Sequence, residues 1–409
     1  MRFRSFSLLA ILGLVGCVTE LVPGGEPGTN ASRETTPVIT TPPSSATPLG
    51  APIKSIPSSA PDAGVDASSD DPVIVVPPPD PDPPVVVTPP PALPAGKLPL
   101  RGVHLAGAEF GAPLPGREYW DYEFPTTAEV DYFQSKGMNN FRIGFMWERM
   151  QRTAYADFEH PYFDRIDEIV RHATGRGAYV VLEPHNFARY YDDVIGSPQC
   201  PNAVFADFWR RVATIYRDNP LVIFNLVNEP SQMRTDQWVS AANAAIAAIR
   251  QAGASNLIEV PGNQWTGAWT WNVEDDWGMT NAAEMLKIVD PVNNSIFEAH
   301  QYLDADAGGG EYTCQSRTVG TQRLQPFISW LRANGKKGLV GEFAGGRNNT
   351  CKLAIADMLA TIDQSSDVLV GWTWWAAGPA WGDYDFSIEP NANGTDATQM
   401  SWLAPYLVR

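Results

Sequence analysis

The chain has 409 residues, a formal net charge of −17 and 36 prolines, and its residue types are unevenly spread. All 14 Trp and all 13 Tyr lie beyond position 100, whereas residues 18–97 hold 20 of the prolines and no aromatic residue. This acidic balance argues against nucleic acid and anionic membrane surfaces as partners and suits a neutral or cationic substrate.

At the start, Arg2 and Arg4 precede an apolar stretch from Leu8 to Val15, too short to span a bilayer and shaped like a secretory signal. It ends Leu14-Val15-Gly16-Cys17, which resembles the bacterial lipobox, where the chain is cut before a cysteine that then carries lipid. Residues 1–16 are therefore expected to be a lipoprotein-type signal peptide and Cys17 the lipidated residue, with an ordinary signal peptide as the alternative. Residues 17–97, rich in Pro, Ser and Thr, cannot bury enough apolar area to offset their ordering entropy. They are expected to form a disordered linker between anchor and catalytic domain.

From residue 98 to 409 short β-rich runs alternate with helical patterns. The runs are LRGVHLAG (100–107), NFRIGF (140–145), AYVVLEPH (178–185), LVIFNLVNEP (221–230), NLIEVPG (256–262), SIFEAHQY (295–302), GLVGEF (338–343) and VLVGWTWW (368–375). Between them lie amphipathic stretches such as YFDRIDEIVRHATGRG and DQWVSAANAAIAAIRQAG, the second closing on Arg250 and Gly253 as last-turn cation and helix stop. Eight nearly apolar strands, each followed by a helix, predict an α/β fold, a (β/α)8 TIM barrel. An open doubly wound sheet is the alternative, but no glycine-rich phosphate loop follows the first strand.

Polar residues gather where these runs end: Arg142, His185, Asn228, Glu229, His300, Tyr302 and Glu342. In a barrel those ends share one rim, where active sites form. A lone carboxylate there is usually a solvated loop residue. Glu229 and Glu342, however, follow strands four and seven, which in a barrel lie across the mouth, so the two side chains can converge on one bond. Such a pair cuts glycosidic bonds, one carboxyl protonating the leaving oxygen while the other attacks carbon or activates water. Arg142 would keep Glu342 ionised, and the charge of Glu342 with partial burial would raise Glu229. Trp374 and Trp375 end strand eight, and alternation lets only one of them face the cleft. The five histidines form no HExxH pattern, and no nucleophile elbow, P-loop or dinucleotide fingerprint is present. Three cysteines remain, Cys200, Cys314 and Cys351; an exported chain allows one pair and one thiol, and arithmetic does not choose between them.

The segments FRIGFMWERMQ, LEPHNFARYY, LVNEPSQM, IEVPGNQWTGAW, FEAHQYLDAD and GEFAGG resemble, in order and spacing, glycoside hydrolase family 5, above all its secreted endo-β-1,4-glucanases. The resemblance implies a retaining double-displacement mechanism with no metal and no cofactor. It implies Glu229 as acid/base and Glu342 as nucleophile, with Arg142, His185, Asn228, His300, Tyr302 and Trp375 binding or orienting the sugar. It further implies a disulfide between Cys314 and Cys351, leaving Cys200 free. Expected partners are a β-glucan polysaccharide and a membrane only through the lipid anchor, for a monomer that is exported and anchored at the cell envelope or secreted. Relatives usually carry Pro at Gly144, often Arg at Met146, commonly His at Ser231, and other residues at Glu183, Pro184, Tyr190 and Trp269. These departures beside the cleft bear on which glycan is preferred. A retaining hydrolase of mannan, xylan or mixed-linkage glucan, and an inactive glycan-binding protein, are the alternatives.

Overall fold

A computed structural model describes Leu93 and residues 98–407. The signal segment, Cys17 and nearly all of the Pro-rich span lie outside the described residues. The expected strands are β1 Leu100–Leu105, β2 Asn140–Phe145, β3 Tyr179–Pro184, β4 Val222–Asn225, β5 Ile258–Pro261, β6 Ser295–His300, β7 Gly338–Phe343 and β8 Leu369–Ala377. All pair in parallel with their neighbours in chain order, and β8 closes on β1. The sheet is a closed barrel with no free edge, which disposes of the open alternative.

The connecting helices are α1 Thr127–Ser135, α2 His160–Gly175, α3 Asn202–Tyr216, α4 Thr235–Gln251, α5 Asn281–Glu284, α6 Val319–Ala333, α7 Asn349–Gln364 and α8 Met400–Leu407. Their burial follows the helical period: in α2, Tyr162, Phe163, Ile166, Ile169, Val170 and Ala173 are the covered apolar residues. The sequence reading missed a small antiparallel ribbon, Arg189–Tyr190 with Asp193–Val194, because two residues per strand carry no alternation. Among the described residues, no helix is long and apolar enough to cross a membrane.

Period-two alternation sorts the barrel interior into layers. Leu100, Val181, Ile223, Leu257, Ile296 and Leu339 form an apolar cluster of their own, and Leu93, from the span read as linker, packs against it. Two residues further along four of these strands come Glu183, Asn225, Glu259 and Glu298, all buried. Two more lead to His185 and His300. The same strand face thus changes from apolar to ionisable to rim within four residues.

Candidate active site

Arg142 sits between two apolar residues of β2 with its guanidinium buried, so it must be matched by anions and acceptors. Nη2 donates to Asn228 Oδ1 at 2.8 Å, and Nη1 to Glu342 Oε2 at 3.2 Å and to the Gly341 carbonyl at 3.1 Å. Nε lies 3.3 Å from Glu183, and Nη1 3.5 Å from Glu298. Burial works against its charge, but Glu298, Glu183 and Glu342 together hold the guanidinium above its ordinary value.

Glu342 reaches the site through an irregularity. On β7 the alternation Leu339, Gly341, Phe343 would leave Glu342 facing outward. The register with β6 shifts between Ala299 opposite Val340 and His300 opposite Glu342, and such a slip re-aims a side chain. The carboxylate then takes Arg142 on Oε2 and the Tyr302 hydroxyl on Oε1.

Glu229 lies in the loop after β4 with φ of +43°, an uncommon conformation for a residue with a side chain. Its Oε1 accepts from His300 Nδ1 at 2.8 Å. Burial raises its carboxyl; the His300 contact opposes this, and the charge of Glu342 adds to it. The expected upward push is present, with burial rather than Glu342 as its larger source. One oxygen of Glu229, one of Glu342 and a nitrogen of His300 all lie within 4.8 Å of one another.

The remaining candidates surround this pair. Asn228, fixed by Arg142, turns its amide toward His185 Nε2 at 3.2 Å, while His185 Nδ1 meets Glu183 at 3.1 Å. Two influences oppose each other on His185. Burial disfavours the charged ring, and Glu183, with Glu109 and Glu342, favours it, raising the ring to about 9. Trp375 stacks near His185, 5.8 Å between centroids, and donates to the Tyr384 hydroxyl at 3.1 Å. Trp374 packs on Phe343 and donates to the Phe386 carbonyl behind the rim. Of the two strand-eight indoles, Trp375 stands at the site.

Several residues of the site were not singled out from sequence. Glu259 and Glu298, like Glu183, which sequence marked only as a departure from relatives, are carboxylates inside nearly apolar strands, and that oddity was the available signal. His104 on β1 is buried and neutral, depressed by burial and the nearby cations, with its edge against Trp375 and its Nε2 3.7 Å from Glu109. Gly144 makes room for it, since a Cβ there would stand 2.7 Å from His104 Nε2. Trp381 and Tyr384, stacked at 4.4 Å, come from the loop after β8. The loop after β5 is tied to Pro230 and His300 by the backbone N–H groups of Trp265 and Ala268. It exposes Trp265 (50%) and Trp269 (45%). Tyr190, grouped with the cleft departures, is instead buried against Trp147 with its hydroxyl on the Gln151 carbonyl. The reason is the short ribbon, which turns this side chain into the core.

Among the described residues, two groups of side chains bring possible metal ligands together: Glu229, His300 and Glu342, and His104, Glu109 and His185. In the first, His300 Nδ1 is bonded to Glu229 and the Arg142 cation lies against Glu342. In the second, both His185 nitrogens are taken by Glu183 and Asn228. Away from the rim, Cys314 and Cys351 form a disulfide, and Cys200 is a buried free thiol.

A closed eightfold barrel with paired carboxylates converging at its carboxyl rim is the architecture of the (β/α)8 glycoside hydrolases. Residues 101–378 match the family described as cellulase (glycosyl hydrolase family 5). The chain is 43% identical over 315 residues to Neurospora crassa endoglucanase gh5-1, covering 76% of this chain and 78% of that protein. It is 42% identical over 311 residues to endo-β-1,4-glucanase A of Emericella nidulans, covering 75% and 92%. Among solved structures, XacCel5A in complex with cellopentaose matches with a TM-score of 0.74 at 42% identity, over 76% of this chain and all of that one. The endo-β-1,4-glucanase Xac0029 of Xanthomonas axonopodis pv. citri matches equally, with a TM-score of 0.74 at 43% identity over 75% and 98%. The chain belongs to glycosyl hydrolase family 5.

Proposed function

We propose that this protein is a retaining endo-β-1,4-glucanase that cleaves internal bonds of cellulose or a related β-glucan. The observation that carries the reading is the approach of the two rim carboxylates, with one oxygen of each within 4.8 Å. A retaining pair stands about 5 Å apart, and an inverting pair at least about 6.5 Å to leave room for water. Glu342, its oxygens held by Arg142 and Tyr302, attacks the anomeric carbon. The bond to the leaving oxygen breaks as Glu229 delivers its proton, and a glycosyl ester forms on Glu342. Glu229, now a carboxylate, takes a proton from water as that water attacks the same carbon and frees Glu342. The raised carboxyl of Glu229 suits the first half, since it keeps its proton at higher pH. His185, Asn228, His300 and Trp375 bind or orient the sugar, the indole against its apolar face. The chemistry uses no cofactor or metal.

Reducing-sugar release from carboxymethylcellulose, β-mannan, xylan and barley β-glucan by the full chain tests this, with Glu229→Gln and Glu342→Gln as controls. Fastest cleavage of a β-1,4-glucan is expected, with each control slower by at least about a hundredfold. Preference for mannan or xylan would keep the mechanism and move the specificity. The exposed Trp269 beside the site is the observation favouring that second reading. Binding without turnover would overturn the enzyme assignment.

The N-terminal pattern supports export and anchoring through Cys17. Cys17→Ser is expected to shift the protein from the membrane fraction to the soluble one; unchanged partition would remove the anchor from the account.

A further inference from the structure

Beneath the two rim carboxylates lies a third that the reaction does not use. Glu298 is fully buried on β6, two residues before His300. Its Oε1 stands 3.3 Å from His300 Nε2 and 3.5 Å from Arg142 Nη1. Neither of its oxygens meets a donor in hydrogen-bond geometry among the described residues. Space for it exists because β7 carries Gly341 opposite, where a Cβ would stand 1.9 Å from Oε1. A buried anion so placed is costly unless its charge is used by the cations beside it.

We propose that Glu298 is a positioning residue that orients His300 against Glu229 and Arg142 against Glu342, so that one buried charge serves both reacting carboxylates. Arg142 Nη1 stands 3.1 Å from the Gly341 carbonyl, 3.1 Å from His300 Nε2 and 3.2 Å from Glu342 Oε2, so its two hydrogens face three groups. His300 Nδ1 is bonded to Glu229, and its Nε2 stands between Arg142 Nη1 at 3.1 Å and Glu298 Oε1 at 3.3 Å, so a protonated ring places its second N–H beside the Glu298 anion without a formed hydrogen bond.

The surrounding charges agree. His300 is faced by Glu298 on its own strand, Glu342 from β7, Glu229 from the loop after β4 and Arg142 from β2. Glu259 from β5 and His104 from β1 also lie within its field, with Glu183 and His185 beyond Arg142 and Asn228. Burial opposes charge on the ring, but Glu342 and Glu298 outweigh it and raise His300 to about 10. Next to Glu298, Glu259 is pushed up to about 8, by burial first and the Glu298 charge second, and accepts from Asn225. Burial pushes Glu298 upward as well, yet Arg142 and His300 bring it down to about 2. Glu259 therefore holds a proton and Glu298 does not, which directs the anion at its two cations.

The inference rests on the two-carboxylate reading, and its test separates the two. In the full chain, Glu298→Gln removes the charge and little else. His300 then releases its proton at lower pH, Glu229 loses a cation that had lowered it, and Glu229 keeps its own proton to higher pH. The basic limb of kcat/KM is expected to move up by about one pH unit, while kcat/KM at the optimum falls by about tenfold or more. Glu298→Asp keeps the charge one methylene further back and is expected to shift the limb less, in the same direction; it serves if the Gln variant fails to fold. NMR titration of His300 in both variants needs no turnover, so it reports on Glu298 even if the wild type cleaves no glycan. A lowered His300 supports the inference. An unmoved limb and an unmoved His300 titration in a folded variant would overturn it, leaving Glu298 a packing residue.

Discussion

Glu109 lies against His104 with its carboxyl buried and raised to about 7, chiefly by burial. The folded chain therefore keeps a proton that the unfolded chain releases near pH 4.5. This contribution to stability is complete below pH 4.5 and is lost as the pH rises towards 7, for a total on the order of 3 kcal/mol. Glu109→Gln should flatten that part of the stability curve, as followed by denaturant unfolding at several pH values; an unchanged slope would show that Glu109 ionises freely in the fold. At the rim, Trp269→Ala is expected to raise KM for long oligosaccharides by about tenfold while changing kcat little, because an exposed indole on the loop that Ala268 ties to the His300 carbonyl offers a face to sugar without entering the chemistry. Equal loss in kcat and kcat/KM would place it closer to the reaction.

Among the elements, the long strands and helices were legible because their burial repeats at two or at 3.6 residues. What escaped the sequence was geometry that breaks those periods. Glu342 enters through a register shift between β6 and β7, and Glu229 through a positive φ, so both were found from their strand ends rather than from alternation. In the buried tier, Glu183 drew notice only as a departure from relatives, and Glu259 and Glu298 drew none, because attention to strand ends skips a polar residue two positions earlier. Arg250 shows the same limit. Sequence reads it as a cation in the last turn of α4, but it is buried, forked onto Asp290 at 2.8 and 2.9 Å and bonded to the carbonyls of Ala254, Asn256 and Asn294. Arg250→Ala should cost about 3–5 kcal/mol by leaving Asp290 uncompensated, against a few tenths for an exposed helix-end cation. Thermal unfolding distinguishes these directly.

Across the molecule, the disulfide joins the loop after β6, which carries Tyr302 near its start, to the first turn of α7, the helix that follows β7 and its Glu342. It closes 37 residues, and in the chain-entropy account its reduction would cost up to about 4 kcal/mol. Reduction should lower the unfolding midpoint, and a Cys314→Ser, Cys351→Ser double variant should reproduce that loss without reductant. The pairing was legible only through family resemblance, since the count of cysteines left every pair open. Charge was legible at once, and the acidic surface fits a neutral polysaccharide.

The central claim is that Glu342 forms a covalent bond to sugar while Glu229 moves the proton. The direct test is mass spectrometry of the full chain after inactivation by a 2-deoxy-2-fluoro cellobioside carrying a good leaving group. The account requires one sugar per chain, on the peptide containing Glu342, and none on Glu342→Gln. Label on Glu229, or turnover that proceeds with no covalent adduct and inverted product, would contradict it.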